Sequence, residues 1–229
     1  MYSGSLYILN KYKTVCFPVQ EFDKKNFYIS WDVISQKFIT FVNFNALFYK
    51  CYKSKKRFIV IHLLITNGVG VAHSTMIIID KKNNTLERFD PMEKYDAFYK
   101  SKLLDLALSD YFEKYNFIHK IPENNYLQTF QNRQTLEQTQ AIRGDPIGFC
   151  VCWSIWYVDL RLSNPDIEID ELYRFAFNAI NNNSKSYTSF IRNYSVFLDK
   201  IHNKVNNVKK LRDINIDEIK KRYYRKTFT

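Results

Sequence analysis

Hydrophobic positions along the chain fall into two rhythms. From Arg57 to Thr66 ("RFIVIHLLIT") they run almost unbroken, which predicts a strand buried on both faces. "NGVG" (Asn67–Gly70) is a turn signal, and "VAHSTMIIID" (Val71–Asp80) predicts a second strand. "KKNN" closes that strand and "TLERFD" (Thr85–Asp90) returns beside it as a hairpin, stopped by Pro91. From Glu93 to Tyr115 the period lengthens: Tyr95, Tyr99, Leu103 and Leu106 stand about one helical turn apart. Residues 116–149 are polar and Gln-rich and predict a short strand and a loop. Cys150–Leu162 predicts a buried helix, broken by "SNPD" (Ser163–Asp166). A second helix follows from about Asp166, and a third carries Tyr187, Phe190, Ile191, Tyr194, Leu198 and Ile201 on one face.

These elements predict an α+β fold: a small central mixed sheet flanked by helices. Composition agrees. The 229 residues are 46% hydrophobic and 17% aromatic, enough for a sizeable core, and five Gly and five Pro are too few for a many-turned sandwich. The expected organisation is one domain over residues 1–203 and a basic tail over 204–229. The formal net charge of +11 is concentrated at the end, where residues 200–229 hold ten Lys/Arg against three Asp/Glu. Such a tail suits nucleic acid, an anionic surface or an acidic protein, or is simply a solvated helix.

The four cysteines (Cys16, Cys51, Cys150, Cys152) lack metal-site spacing, so neither metal nor cofactor is expected. "MYSGSLYILNKYK" has no apolar signal region, and "FIVIHLLI" (Phe58–Ile65) is too short to span a bilayer. The expectation is an intracellular, reducing environment, cytoplasm or virus factory, with unpaired thiols.

Of four histidines, His62 alternates within an apolar strand and reads as structural, while His119 and His202 lie in polar, Lys-bearing surroundings. His73 opens a strand just after a turn, where a side chain reaches a cleft. Asp90 ends the partner strand, so the hairpin should make His73 and Asp90 neighbours across the ladder. A carboxylate held against an imidazole fixes its tautomer and stabilises its charged form. Cys150 stands at a helix N-terminus, where unsatisfied N–H groups favour the thiolate, and its own N–H can donate to an oxyanion. Cys152, two residues into that helix, reads as a packing residue.

The order His73, Asp90, Cys150 differs from papain, where the cysteine comes first. With "ERFDP" (Glu87–Pro91), "GFCVCWSIWY" (Gly148–Tyr157) and "RLSNP" (Arg161–Pro165), it resembles the adenain and SUMO-protease-like cysteine peptidases, and more closely the predicted thiol proteases of large DNA viruses. The resemblance covers roughly residues 57–180. It implies a papain-like-superfamily fold in the adenain permutation, with the nucleophile opening a buried helix. It implies a Cys-His-Asp triad of Cys150, His73 and Asp90, and a protein substrate: a viral structural precursor or a ubiquitin-like conjugate. It also implies an oxyanion-hole Gln shortly before the cysteine. There this chain departs, having "RGD" (Arg143–Asp145) at that separation; Gln134 and Gln140 are the candidates.

Two other readings are compatible with the sequence: an inactive, protease-derived component of a virus particle, and a basic nucleic-acid-binding protein acting through its tail. The first predicts a retained fold with a misplaced dyad, the second a salt-sensitive complex.

Overall fold

A computed structural model describes residues 2–19, 28–68, 72–92, 98–122, 129–139, 149–184 and 186–207. In chain order the elements are α1 (Tyr2–Lys11), β1 (Val15–Cys16), β2 (Tyr28–Asp32), β3 (Lys37–Ile39), α2 (Phe44–Lys53), β4 (Phe58–Thr66), β5 (Ala72–Asp80) and β6 (Thr85–Phe89). Then come α3 (Ser101–Phe112), β7 (Ile118–Lys120), α4 (Phe130–Thr139), α5 (Cys150–Ser163), α6 (Ile169–Asn183) and α7 (Tyr187–Asn207). The class is α+β, with a mixed sheet and flanking helices. The chain divides into two compact units, residues 13–127 and residues 1–12 with 128–229.

The first unit holds the sheet. Among the described residues seven strands join it, in the order β3-β2-β4-β5-β6-β7, with β1 beside the start of β4. The β4–β5 and β5–β6 pairs are antiparallel, whereas β1 and β2 run parallel to β4, and β7 runs parallel to β6. The unbroken apolar run of β4 has its cause here: Ile59, Ile61, Leu63 and Ile65 feed one core with Ile77, Ile79 and Leu86, under Phe48 of α2 and Leu104, Leu108 and Phe112 of α3. The alternate positions Val60, Met76, Ile78 and Phe89 are buried as well. His62 belongs to that set, fully buried and stacked on Phe17, as its structural reading required.

Two expectations need correction in this unit. Helix α3 starts at Ser101 rather than Glu93, residues 93–97 lying outside the described set, and its inner face is Leu104, Asp105, Leu108 and Phe112. Leu106, expected inside, is 64% exposed, because residues 98–100 are not helical and the true helix has a different phase. Cys16 and Cys51 are joined as a disulfide between β1 and α2, so of the four cysteines Cys150 and Cys152 stand outside a disulfide.

The second unit is helical among its described residues. Helices α5, α6 and α7 match the three expected ones, and the whole α7 stripe from Tyr187 to Ile201 is buried. Aromatic packing dominates: Phe130 stacks on Phe177 at 4.2 Å between centroids, and Trp153 contacts Trp156 and Phe190. Helix α1 approaches α5 so closely that a Cβ on Gly4 would sit 2.8 Å from Ile155. Asp159 of α5 ties the same pair, accepting from Tyr7, Tyr12 and Lys11. Helix α7 runs to Asn207, past the expected boundary at residue 203, and the basic residues 208–229 lie outside the described set.

Candidate active site

The antiparallel register of β5 and β6 sets Met76 opposite Phe89 and Asp80 opposite Thr85. Asp90 follows the last residue of β6, and His73 is the second residue of β5, opposite Ile65 of β4. Both are buried, at 6% and 2% exposure. The imidazole meets the carboxylate through Nε2, 2.7 Å from Asp90 Oδ1. The Met92 N–H donates to that same oxygen at 2.8 Å, and Arg88 Nη1 donates to Oδ2 at 3.1 Å. The Tyr99 ring stacks against the imidazole.

Burial alone would push the Asp90 carboxyl up. The facing His73 ring, its hydrogen bond, Arg88 and the Met92 N–H outweigh burial and hold it below the usual carboxylate range. An ionised Asp90 can only accept, so the ring proton sits on Nε2 and, in the neutral imidazole, Nδ1 is the basic atom.

Cys150 is the first residue of α5 and is half-buried. Phe149 caps the helix, its carbonyl accepting from Trp153 N–H at 2.9 Å, and no acidic side chain stands in the first turn to oppose a thiolate. Cys152 differs: burial pushes its thiol up, against the smaller opposing effect of the Ser195 hydroxyl.

Gln134 lies on α4, a helix where the sequence predicted a loop. Its side chain is 1% exposed, and its Oε1 accepts the indole N–H of Trp153 at 2.9 Å. Trp can only donate, so this bond fixes which end of the amide is which and turns Nε2 the other way. Glu137, one turn on, accepts from the Tyr187 and Thr188 N–H groups at 2.9 and 2.8 Å, anchoring α4 to the start of α7. Gln140 and Gly148 lie outside the described residues. The structure therefore brings His73 and Asp90 together in one unit; in the other it places Cys150 at the start of α5 and bonds Gln134 to Trp153 of that same helix. Arg88, which sequence reasoning did not single out, joins the carboxylate; its signal was its place in "ERFDP".

Among the described residues there is no cluster of three or more His, Cys, Asp or Glu able to hold a metal ion, and no helix is long and apolar enough to cross a membrane.

No family model matches the chain. A putative ankyrin repeat protein of Acanthamoeba polyphaga mimivirus is 31% identical over 206 residues, covering 79% of this chain and 26% of that protein. The chain thus spans about a quarter of the length of that curated relative. Among solved structures, the Chlamydia trachomatis effector protein Cdu1 bound to ubiquitin superposes with a TM-score of 0.52 at 14% identity, covering 92% of this chain and 93% of that one. A structure of the effector ChlaDUB1 from the same organism gives the same score and identity over 92% and 85%. At such identity the likeness is one of fold.

Proposed function

We propose that this chain is a cysteine isopeptidase that acts on ubiquitin-like conjugates. The observation that carries the reading is the buried His73–Asp90 pair, with the carboxylate ionised and the ring aligned through Nε2. A buried histidine oriented in this way is a general base whose Nδ1 is the atom a thiol would meet. Cys150 is the thiol in the right electrical setting, at the mouth of an apolar helix. The choice of substrate rests on a fold shared with an effector that was solved bound to ubiquitin. No comparable observation favours a viral precursor, a purely structural role in a particle, or nucleic acid.

The mechanism follows from these atoms. His73 Nδ1 takes the Cys150 Sγ proton, and the thiolate attacks the carbonyl carbon of the isopeptide bond. The Cys150 N–H and Gln134 Nε2 donate to the developing oxyanion. The C–N bond breaks as the imidazolium returns the proton to the leaving lysine amine, leaving a thioester on Cys150. Water, deprotonated by His73, attacks the thioester and releases the carboxylate with the thiol restored. Asp90 stays ionised throughout and stabilises the imidazolium.

Ubiquitin carrying a C-terminal electrophile tests this reading. The expected result is one adduct, mapped by peptide mass spectrometry to Cys150 and lost in Cys150→Ala while the circular dichroism spectrum is retained. An adduct on Cys152, or no adduct with any ubiquitin-like probe, overturns it.

A further inference from the structure

The His73–Asp90 pair is built into a larger buried array. Arg88 projects from β6, two residues before Asp90 and so from the same face of the sheet, with its side chain 4% exposed. Its guanidinium donates to four side chains of the described residues. Nη1 donates to Asp90 Oδ2 at 3.1 Å and to the Tyr99 hydroxyl oxygen at 3.3 Å. Nε and Nη2 grip Asp105 of α3 at Oδ1 and Oδ2, 2.6 and 3.0 Å away. Nη2 also donates to Ser101 Oγ at 3.0 Å. Behind Asp105, His119 of β7 brings Nε2 to 3.7 Å from Oδ1, with its Nδ1 bonded to Ser109 Oγ at 3.1 Å.

This arrangement does more than neutralise charge. A carboxylate can rotate about its terminal bond, and rotation of Asp90 would carry Oδ1 away from the imidazole. Oδ1 is held by the Met92 N–H and Oδ2 by Arg88, so both ends of the group are fixed. Arg88 is itself fixed, because Asp105 takes the opposite edge of the fork in a bidentate grip. A lysine ammonium could supply the charge, but a point donor on a flexible stem could not span two carboxylates at these angles.

We infer that Arg88 is a positioning residue for His73: its guanidinium, braced by Asp105 on α3, locks the Asp90 carboxylate in the rotation that aims Oδ1 at the imidazole. The inference rests on the reading of His73 as the base. It adds α3 as the brace of the catalytic pair and gives the Arg of "ERFDP" a task distinct from that of its Asp. Arg88 touches no reacting atom and acts only through Asp90.

The test uses the full chain with Arg88→Lys, which keeps a cation among the buried carboxylates and so favours folding. Two readouts are needed: steady-state hydrolysis of a ubiquitin-linked fluorophore, and the proton resonance of the His73 Nε2–H. The expected result is a kcat lowered about tenfold or more with KM within about twofold, as for a misplaced but present base. The Nε2–H resonance should move upfield or broaden away. Should Arg88→Lys fail to fold, Asp105→Asn, which leaves Arg88 in place and weakens its brace, is expected to shift the same resonance in the same direction. An unmoved resonance in the folded variant overturns the inference, whatever happens to turnover. If the parent protein hydrolyses no ubiquitin-like substrate, that counts against the isopeptidase reading, and the resonance still decides the role of Arg88.

Discussion

Asp90 meets His73 on a diagonal of the β5–β6 ladder, not straight across it. Continuing the register from the Met76–Phe89 pair sets Asp90 opposite Thr75, two residues from His73, yet Oδ1 lies 2.7 Å from Nε2. Diagonal partners share a face and are within reach of long side chains. Asp90→Asn should therefore be unusually damaging. Arg88 demands an acceptor at one end of the group and the Met92 N–H demands one at the other, so an amide sets its NH2 against a donor whichever way it turns. With its oxygen towards Arg88 it forces the ring proton onto Nδ1, the wrong tautomer for a base; turned the other way it opposes the guanidinium and has no charge to stabilise the imidazolium. A kcat lower by about 10²–10⁴ is expected in steady-state hydrolysis of a ubiquitin-linked fluorophore.

The Trp153–Gln134 bond makes a graded prediction. If Gln134 donates to the oxyanion as proposed, Gln134→Ala should lower kcat by about 10²–10³. Trp153→Phe keeps an aromatic ring and the glutamine but releases Oε1, so the loss should be nearer tenfold, from misplacement alone. It should also cost about 2 kcal/mol or more of stability, for the orphaned buried amide oxygen and the space left by the smaller ring, measurable by urea unfolding. Equal losses in the two variants would mean that the indole, not the amide, is what matters.

The two thiols should separate on alkylation. Burial pushes Cys152 up and makes it a poor thiolate, whereas Cys150 opens the helix. A limiting dose of iodoacetamide at neutral pH should label Cys150 well ahead of Cys152, and His73→Ala should slow the first without touching the second. Peptide mass spectrometry reads both rates.

His62 predicts a stability slope in acid. Its ring is fully buried and burial lowers its pKa from 6.5 to about 3. The unfolded chain takes up this proton first as pH falls, so the folded state loses stability from about pH 6.5 down towards pH 3. The steepest contribution is about 1.4 kcal/mol per pH unit. Urea unfolding at a series of pH values should show that slope, and His62→Leu should flatten it without abolishing hydrolysis.

The sequence was most legible where burial alone sets the pattern. The run of β4, the β5–β6 hairpin, α5 and the α7 stripe all show one continuous apolar face, and each was placed within a few residues. Helix α4 was illegible because its inner face is Phe130, Gln134 and Glu137, two of them polar and satisfied by bonds to Trp153 and the start of α7. Its one large apolar residue on the other side, Leu136, points outward, so no hydrophobic period remains to be read. The expected start of α3 differs because Tyr99 and Leu103 suggest a helical period, whereas residues 98–100 are not helical and residues 93–97 lie outside the described set. The Cys16–Cys51 disulfide was missed because pairing 35 residues apart is a fact of β1 and α2 packing, with no local signature. Near the candidate site, the His73–Asp90 pairing and the place of Cys150 at the start of α5 were legible from order and position, whereas Arg88 acquires meaning only once α3 brings Asp105 to it.

The most direct measurement of the central claim is reaction with dibromoacetone, which joins a cysteine sulfur to a histidine nitrogen only when the two are close together. On limiting treatment of the native protein, the account predicts a covalent bridge between the peptide bearing Cys150 and the peptide bearing His73, formed in step with the loss of isopeptidase activity. Single adducts on Cys150 with no bridge, or a bridge to a different histidine, would contradict it.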